Sequence, residues 1–203
     1  VLPCCIFEGL IFTNLNKDIS YKILGVDPGT NFLGFAIIET ICDPPKVMSL
    51  DVINLSKYKD QQTKLLHIHR EISKLIEIFH PKQLAIEEPF YANNVQSMLK
   101  LGRAQGVAIA AAINMGLTIA EYSPKKVKQS ITGNGNAAKE QVARMLPHLV
   151  DMNNQVYEKL DATDALAVAV CHYSQNKLLT TSGKKYSGWQ EFVKNNETRL
   201  KKS

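Results

Sequence analysis

The sequence predicts an α/β domain whose core is a five-stranded mixed sheet flanked by helices. Three observations predict it: an opening β-hairpin with an acid at its turn, a β-β-β-α-β-α-β-α order read from hydrophobic periodicity, and a closing Ala/Val-rich helix. The chain has 203 residues, 45% hydrophobic and 21% charged, which suits one soluble globular domain with a full core.

The hairpin comes first. Ile23, Leu24, Gly25 and Val26 form a mostly apolar strand that runs into Asp27, Pro28 to Asn31 make a turn, and residues 32–38 return. Asp-Pro-Gly is turn chemistry, because proline presets φ and glycine accepts positive φ. The turn leaves Asp27 at the end of a buried strand. A buried carboxylate is costly without a partner, and a divalent cation is a common one. An Asp that merely caps the turn fits this local pattern equally well. Residues 47–55 read as a third strand of an antiparallel meander.

Residues 60–79 carry apolar side chains at helical spacing, and Pro81 ends that helix. Residues 83–91 (QLAIEEPFY) read as a short buried strand with Glu87 toward its far end, so Asp27 and Glu87 share an edge if strands 1 and 4 lie side by side. Pro89 disfavours helix at Glu88, so the chain is expected to leave the sheet there as a loop, with Phe90 either turned outward or, with Tyr91, plugging the core under the loop. Residues 93–115 predict a long helix, apolar almost all round, with Gly102 and Gly106 four apart; a buried core helix and a subunit interface fit equally. Residues 117–122 are a fifth strand. From Ser123 the text turns basic, with five basic residues and one acid through Leu146. Ser123 is expected to cap a short helix opening at Pro124, and Asn136 the next, over 137–146.

The last helix begins LDATDALAVAVCHY. Asp161 and Asp164 are three apart and so share a helical face, near an end whose dipole favours their ionised forms. Capping explains one Asp, not two on a buried helix. With Asp27 and Glu87 they make four acids that cannot converge without charge neutralisation. Hard oxygen ligands select Mg²⁺ or Mn²⁺, and two such ions about 3.5–4 Å apart can activate a water and stabilise a phosphodiester's leaving oxygen.

The net charge of +5 is unevenly placed. Residues 1–22 hold two basic and two acidic groups, residues 23–176 fifteen of each, and residues 177–203 seven basic and two acidic, so 7 − 2 = +5 sits in the tail. A neutral body with a basic tail suits a polyanion partner, as it also suits a solubility tail. Four cysteines, with Cys4 and Cys5 adjacent, give neither a disulfide framework nor zinc-ligand spacing. Cys42 and Cys171 are expected to be buried, and a reducing cytoplasm fits. The apolar opening is broken by Glu8 and makes a poor signal peptide. The expected division is an N-terminal extension over 1–21, a core domain over 22–176 and a basic tail over 177–203.

GVDPGTNFLGFAII, AIEEPFYANN, SMLKLGRAQGVAIAAA, EYSPKKVKQSITGNGNAAKEQV and DATDALAVAV resemble, in order, the motifs of the RuvC family of Holliday-junction resolvases. The resemblance covers roughly residues 22–173. It implies a ribonuclease H-like fold and a homodimeric, Mg²⁺-dependent endonuclease that cuts opposed strands of a four-way DNA junction in recombination and repair. It further implies cooperation with a branch-migration motor. By the same resemblance Asp27, Glu87, Asp161 and Asp164 fall on the metal-binding catalytic acids, Lys128 and Lys139 on DNA-contacting lysines, and Phe90 on an aromatic that stacks on a base. The Gly102/Gly106 helix falls on the dimer helix. An enzyme that processes ribosomal RNA opens with a similar hairpin, but GNGNAAK and DATD favour the resolvase. A sugar-kinase or actin-like ATPase needs a second Asp-x-Gly-Thr turn, which residues 93–203 lack. A junction-binding module without catalysis would not keep all four acids.

Overall fold

The computed structural model describes residues 20–89, 94–153 and 160–181. Five strands, β1 (Lys22–Asp27), β2 (Phe32–Glu39), β3 (Lys46–Asn54), β4 (Gln83–Glu87) and β5 (Thr118–Tyr122), form one sheet in the order β3-β2-β1-β4-β5. β2 pairs antiparallel with β1 and β3, whereas β1–β4 and β4–β5 are parallel. The sheet is therefore mixed, with β1 at its centre, as the element order requires.

Alternation along the strands sorts the core into two layers. Leu24, Val26, Leu33, Phe35, Leu84 and Ile86 pack under α1 (Gln61–Phe79) and α2 (Val95–Asn114). Ile23, Ala36, Ile38 and Ala85 face the other side, against α3 (Pro124–Thr132), α4 (Lys139–Met145) and α5 (Leu160–Thr181). α5 lies centrally on that side, with Ala165, Leu166, Val168, Ala169 and Cys171 fully or almost fully buried. Each large apolar side chain so buried is worth roughly 1.5–3 kcal/mol. Among the described residues no helix is long and apolar enough to cross a membrane.

Several local expectations need correction. α2 is not buried all round: Ala104, Ala108, Ala111 and Ala112 pack inward, while Val95, Leu99 and Ile113 are exposed. Its fully buried apolar side chains are all alanine, while three of its large ones are exposed, so composition alone overstates its burial. A Cβ on Gly102 or Gly106 would meet nothing within 4 Å among the described residues, so no described element packs on that close-approach surface. Ser123 occupies the cap position of α3 without a side-chain cap bond. The cap of α4 is Ala138 rather than Asn136, and the Gln141 side chain accepts from the Ala138 N–H at 2.9 Å. β4 ends at Glu87, because Pro89 has no N–H for the ladder. Cys42 is exposed, in the β2–β3 connection, whereas Cys171 is buried as expected. Gly29 is absent from the positive-φ glycines; a Cβ there would sit 1.8 Å from the Phe32 carbonyl oxygen, so the turn needs its missing side chain. The helix containing residue 177 runs on to Thr181, and the Lys177 ammonium donates to the Asp43 carboxylate.

One buried polar network ties α5 to the sheet. Because the Gln83 side-chain oxygen can only accept, His172 donates to it from Nε2 at 2.9 Å, and Nδ1 accepts from the Tyr122 hydroxyl at 2.7 Å. Asn176 also donates to the Gln83 oxygen, at 3.0 Å. Burial holds the His172 pKa below its ordinary value of 6.5, so the ring is neutral.

Candidate metal centre

Strand parity aims two acids the same way. Ile23 belongs to the α5 side and Leu24 to the other, so Gly25 and Asp27 also face α5. Ala85 and Glu87 follow the same parity on β4. The parallel register pairs Val26 with Ile86, which places Asp27 and Glu87 one residue further along at the same sheet edge.

α5 brings the other two. Asp161 lies in its first turn, and Asp164 is one turn further on the same face. They reach Asp27 because the helix approaches the sheet at the distance glycine allows. A Cβ on Gly34 would lie 2.0 Å from the Asp161 carbonyl oxygen, and one on Gly25 would lie 2.3 Å from the Ala165 carbonyl oxygen. Gly34 is also the residue paired with Asp27 across β1 and β2. Sequence reasoning missed both glycines as site residues; a lone glycine inside an apolar strand was the available signal.

Carboxylate oxygens of Asp27, Asp161 and Asp164 all lie within 4.8 Å of one another. Glu87 is not part of that triad but stands at its rim, in a cleft of about 370 Å³ that it lines with Lys128, Lys139 and Asp164. Lys139 donates to Asp164 at 2.5 Å. The structure thus brings six sequence-predicted site residues to one edge. Phe90 lies outside the described residues.

The electrostatics show an excess of negative charge. Burial, then the charges of Glu87, Asp164 and Asp161, push the Asp27 pKa well above 3.8, against the pull of Lys139. Burial and the Asp164 charge push Glu87 up to about 7, opposed by Lys139 and Lys128. Burial works against the Lys139 charge, but its bond to Asp164 and the nearby Asp27 and Asp161 leave its pKa raised. One ammonium does not neutralise this set. The triad offers only carboxylate oxygens, with neither His nor Cys, and such hard donors fit Mg²⁺ or Mn²⁺ better than zinc.

Comparison with known proteins agrees with the geometry. Residues 23–172 match the sequence model of the family described as crossover junction endodeoxyribonuclease RuvC. The chain is 51% identical over 192 residues to the Cytophaga hutchinsonii protein of that name, covering 95% of this chain and 94% of the relative. It is 50% identical to the Christiangramia forsetii protein over 88% of this chain and 92% of the relative. Its fold superposes on T. thermophilus RuvC in complex with Holliday junction substrate with a TM-score of 0.72 and 27% identity, covering 79% of this chain and 97% of that one. The fold is ribonuclease H-like, and the chain belongs to the RuvC family of crossover junction endodeoxyribonucleases.

Proposed function

We propose that this chain is a metal-dependent endonuclease that resolves four-way DNA junctions by paired phosphodiester hydrolysis. The observation that carries the reading is the convergence of Asp27, Asp161 and Asp164, with Glu87 beside them, at one open sheet edge flanked by lysines. Asp27, Asp161 and Asp164 would hold Mg²⁺, with Glu87 completing the set. A divalent cation there supplies charge neutralisation and polarises a phosphoryl oxygen.

The chain's own groups do the rest. The Glu87 carboxyl, whose pKa burial and Asp164 raise while the site holds no cation, would be ionised by a bound cation and serve as a ligand to it. Lys128 and Lys139 line the cleft beside the acids and would receive phosphates of the DNA there. Phe90, three residues beyond Glu87, is the proposed stacking partner for an unpaired base, worth about 1–3 kcal/mol.

A two-fold junction calls for two centres, and the exposed Val95, Leu99 and Ile113 with the open Gly102 and Gly106 make α2 the proposed dimer face. The same reading takes residues 1–21 and the basic tail beyond α5 as peripheral to the nuclease domain, whose expected boundary at 176 falls inside that helix. It also places the enzyme in the cytoplasm beside a branch-migration motor.

A mobile four-way junction labelled on each strand tests the activity. Symmetric nicks on opposed strands are expected in Mg²⁺ and none in EDTA. An intact junction in both Mg²⁺ and Mn²⁺ would overturn the reading.

A further inference from the structure

Positive charge is concentrated in the segment after Ser123 and in the tail. A third basic stretch stands on the other flank of the acids. Residues 54–64 (NLSKYKDQQTK) hold three lysines and one acid, in a body whose charges balance only when this stretch is included. They run from the end of β3 through the β3–α1 loop into the first turn of α1.

This loop is built against the turn that follows Asp27. The Leu55 N–H donates to the Asn31 carbonyl at 2.8 Å. From α1, the Lys64 ammonium donates to the Thr30 carbonyl at 2.8 Å and to the Asn31 side-chain oxygen at 3.1 Å. Tyr58 lies against His67, ring centroids 5.0 Å apart, and the Lys57 ammonium sits 5.1 Å from the Tyr58 ring centre. The acid of the stretch, Asp60, is occupied: its carboxylate accepts from the Thr63 N–H at 2.7 Å and caps α1. Lys57 and Lys59 are exposed. Phe32, the first residue of β2, shares strand parity with Gly34 and Ala36, so it stands on the same sheet face as the acids, yet is 41% exposed. A large aromatic left open there, beside a fixed cluster of cations, has the make-up of a nucleic-acid contact.

We propose that the β3–α1 loop and the start of β2 form a second DNA-contact surface. Lys57, Lys59 and Lys64 take phosphates of the junction arm on the β3 side of the acids, and Phe32 packs against its sugars or an exposed base. The spacing suits this. β3 is two strands from β1, about 10 Å at roughly 4.8 Å per strand, which is about three steps of DNA at 3.4 Å each. Lys128 and Lys139 hold the DNA in the cleft with Glu87; this surface holds the arm leaving the other way. The inference rests on the proposed junction cleavage.

The test is a salt titration of junction binding for wild type, Lys57→Ala/Lys59→Ala, and a control, Lys74→Ala/Lys82→Ala. The control removes the same charge at exposed positions far along α1 and at the opposite end of β4. Two lost phosphate contacts should lower the slope of log affinity against log salt by about 1.8, at about 0.9 per contact. The control should match wild type. A slope for the loop variant equal to wild type, or an equal fall in the control, would overturn the proposal. Wild-type cleavage in Mg²⁺ is measured alongside. Its absence would sink the functional reading, whereas cleavage with an unchanged loop variant would sink only this surface.

Discussion

Glu87→Gln should make the metal-free protein more stable at pH 8 and leave it about equal to wild type at pH 4.5. The Glu87 pKa is raised from 4.5 to about 7 by burial and by Asp164. A carboxyl raised in this way lends stability that is present below its unfolded value and lost as pH rises through its folded one. The window is therefore pH 4.5 to 7. The shift of about 2.5 units corresponds to about 3 kcal/mol at 1.36 kcal/mol per unit. Gln keeps the shape and cannot ionise, so it escapes that loss. Urea denaturation in EDTA measures it: with a slope of about 1–3 kcal/mol per molar, the variant's midpoint should rise by roughly 1–3 M at pH 8. Saturating Mg²⁺ should shrink or reverse the order, because only wild type keeps its full set of carboxylates; ligand at a hundred times its dissociation constant adds about 2.7 kcal/mol. A variant-minus-wild-type difference that is the same at pH 4.5 and pH 8 would refute the reasoning.

Three further outcomes follow from particular contacts. Gly34→Ala should push α5 away from β2, costing about 1–3 kcal/mol by overpacking and weakening Mn²⁺ binding by at least about tenfold, read by thermal melting and calorimetry. His172→Gln should destabilise the protein by about 1–3 kcal/mol at pH 8 through its buried hydrogen bonds. Because the His172 pKa is depressed, the stability its neutral ring gives is present above pH 6.5 and lost as pH falls, so the deficit should narrow by pH 5 in urea titrations. Lys128→Ala should lower the salt slope of junction binding by about 0.9, read by fluorescence anisotropy, without changing the melting temperature.

The strands and the long helices were readable because each buries a face of fixed period. The apolar runs around Asp27 and Glu87 alternate or fill as buried strands must, and the i, i+3 spacing of Asp161 and Asp164 places them on one face whatever α5 packs against. What pattern could not give was depth. Nothing in the periodicity says that α5 rides on Gly25 and Gly34, though that approach gathers the triad. Nor could composition say that α2 leaves Val95, Leu99 and Ile113 outward, since an Ala-rich helix reads as apolar on every side. The cap of α4 was misplaced because Asn136 is the better capping residue by type, while the chain enters the helix two residues later. The pairing of Lys139 with Asp164 was not legible either, because it spans 25 residues and no local rule reaches that far.

The central claim is that the acids hold metal for chemistry while the lysines hold DNA, and Asp27→Asn separates the two most directly. Cleavage and affinity are measured on the same four-way junction, in Mg²⁺ for cleavage and Ca²⁺ for binding. Loss of about 4 kcal/mol of transition-state stabilisation predicts a cleavage rate down by about a thousandfold. Affinity should stay within about twofold of wild type, because the removed group contributes to the transition state rather than to the bound ground state. Near-normal cleavage by the variant would contradict the account, and so would loss of binding in step with loss of cleavage.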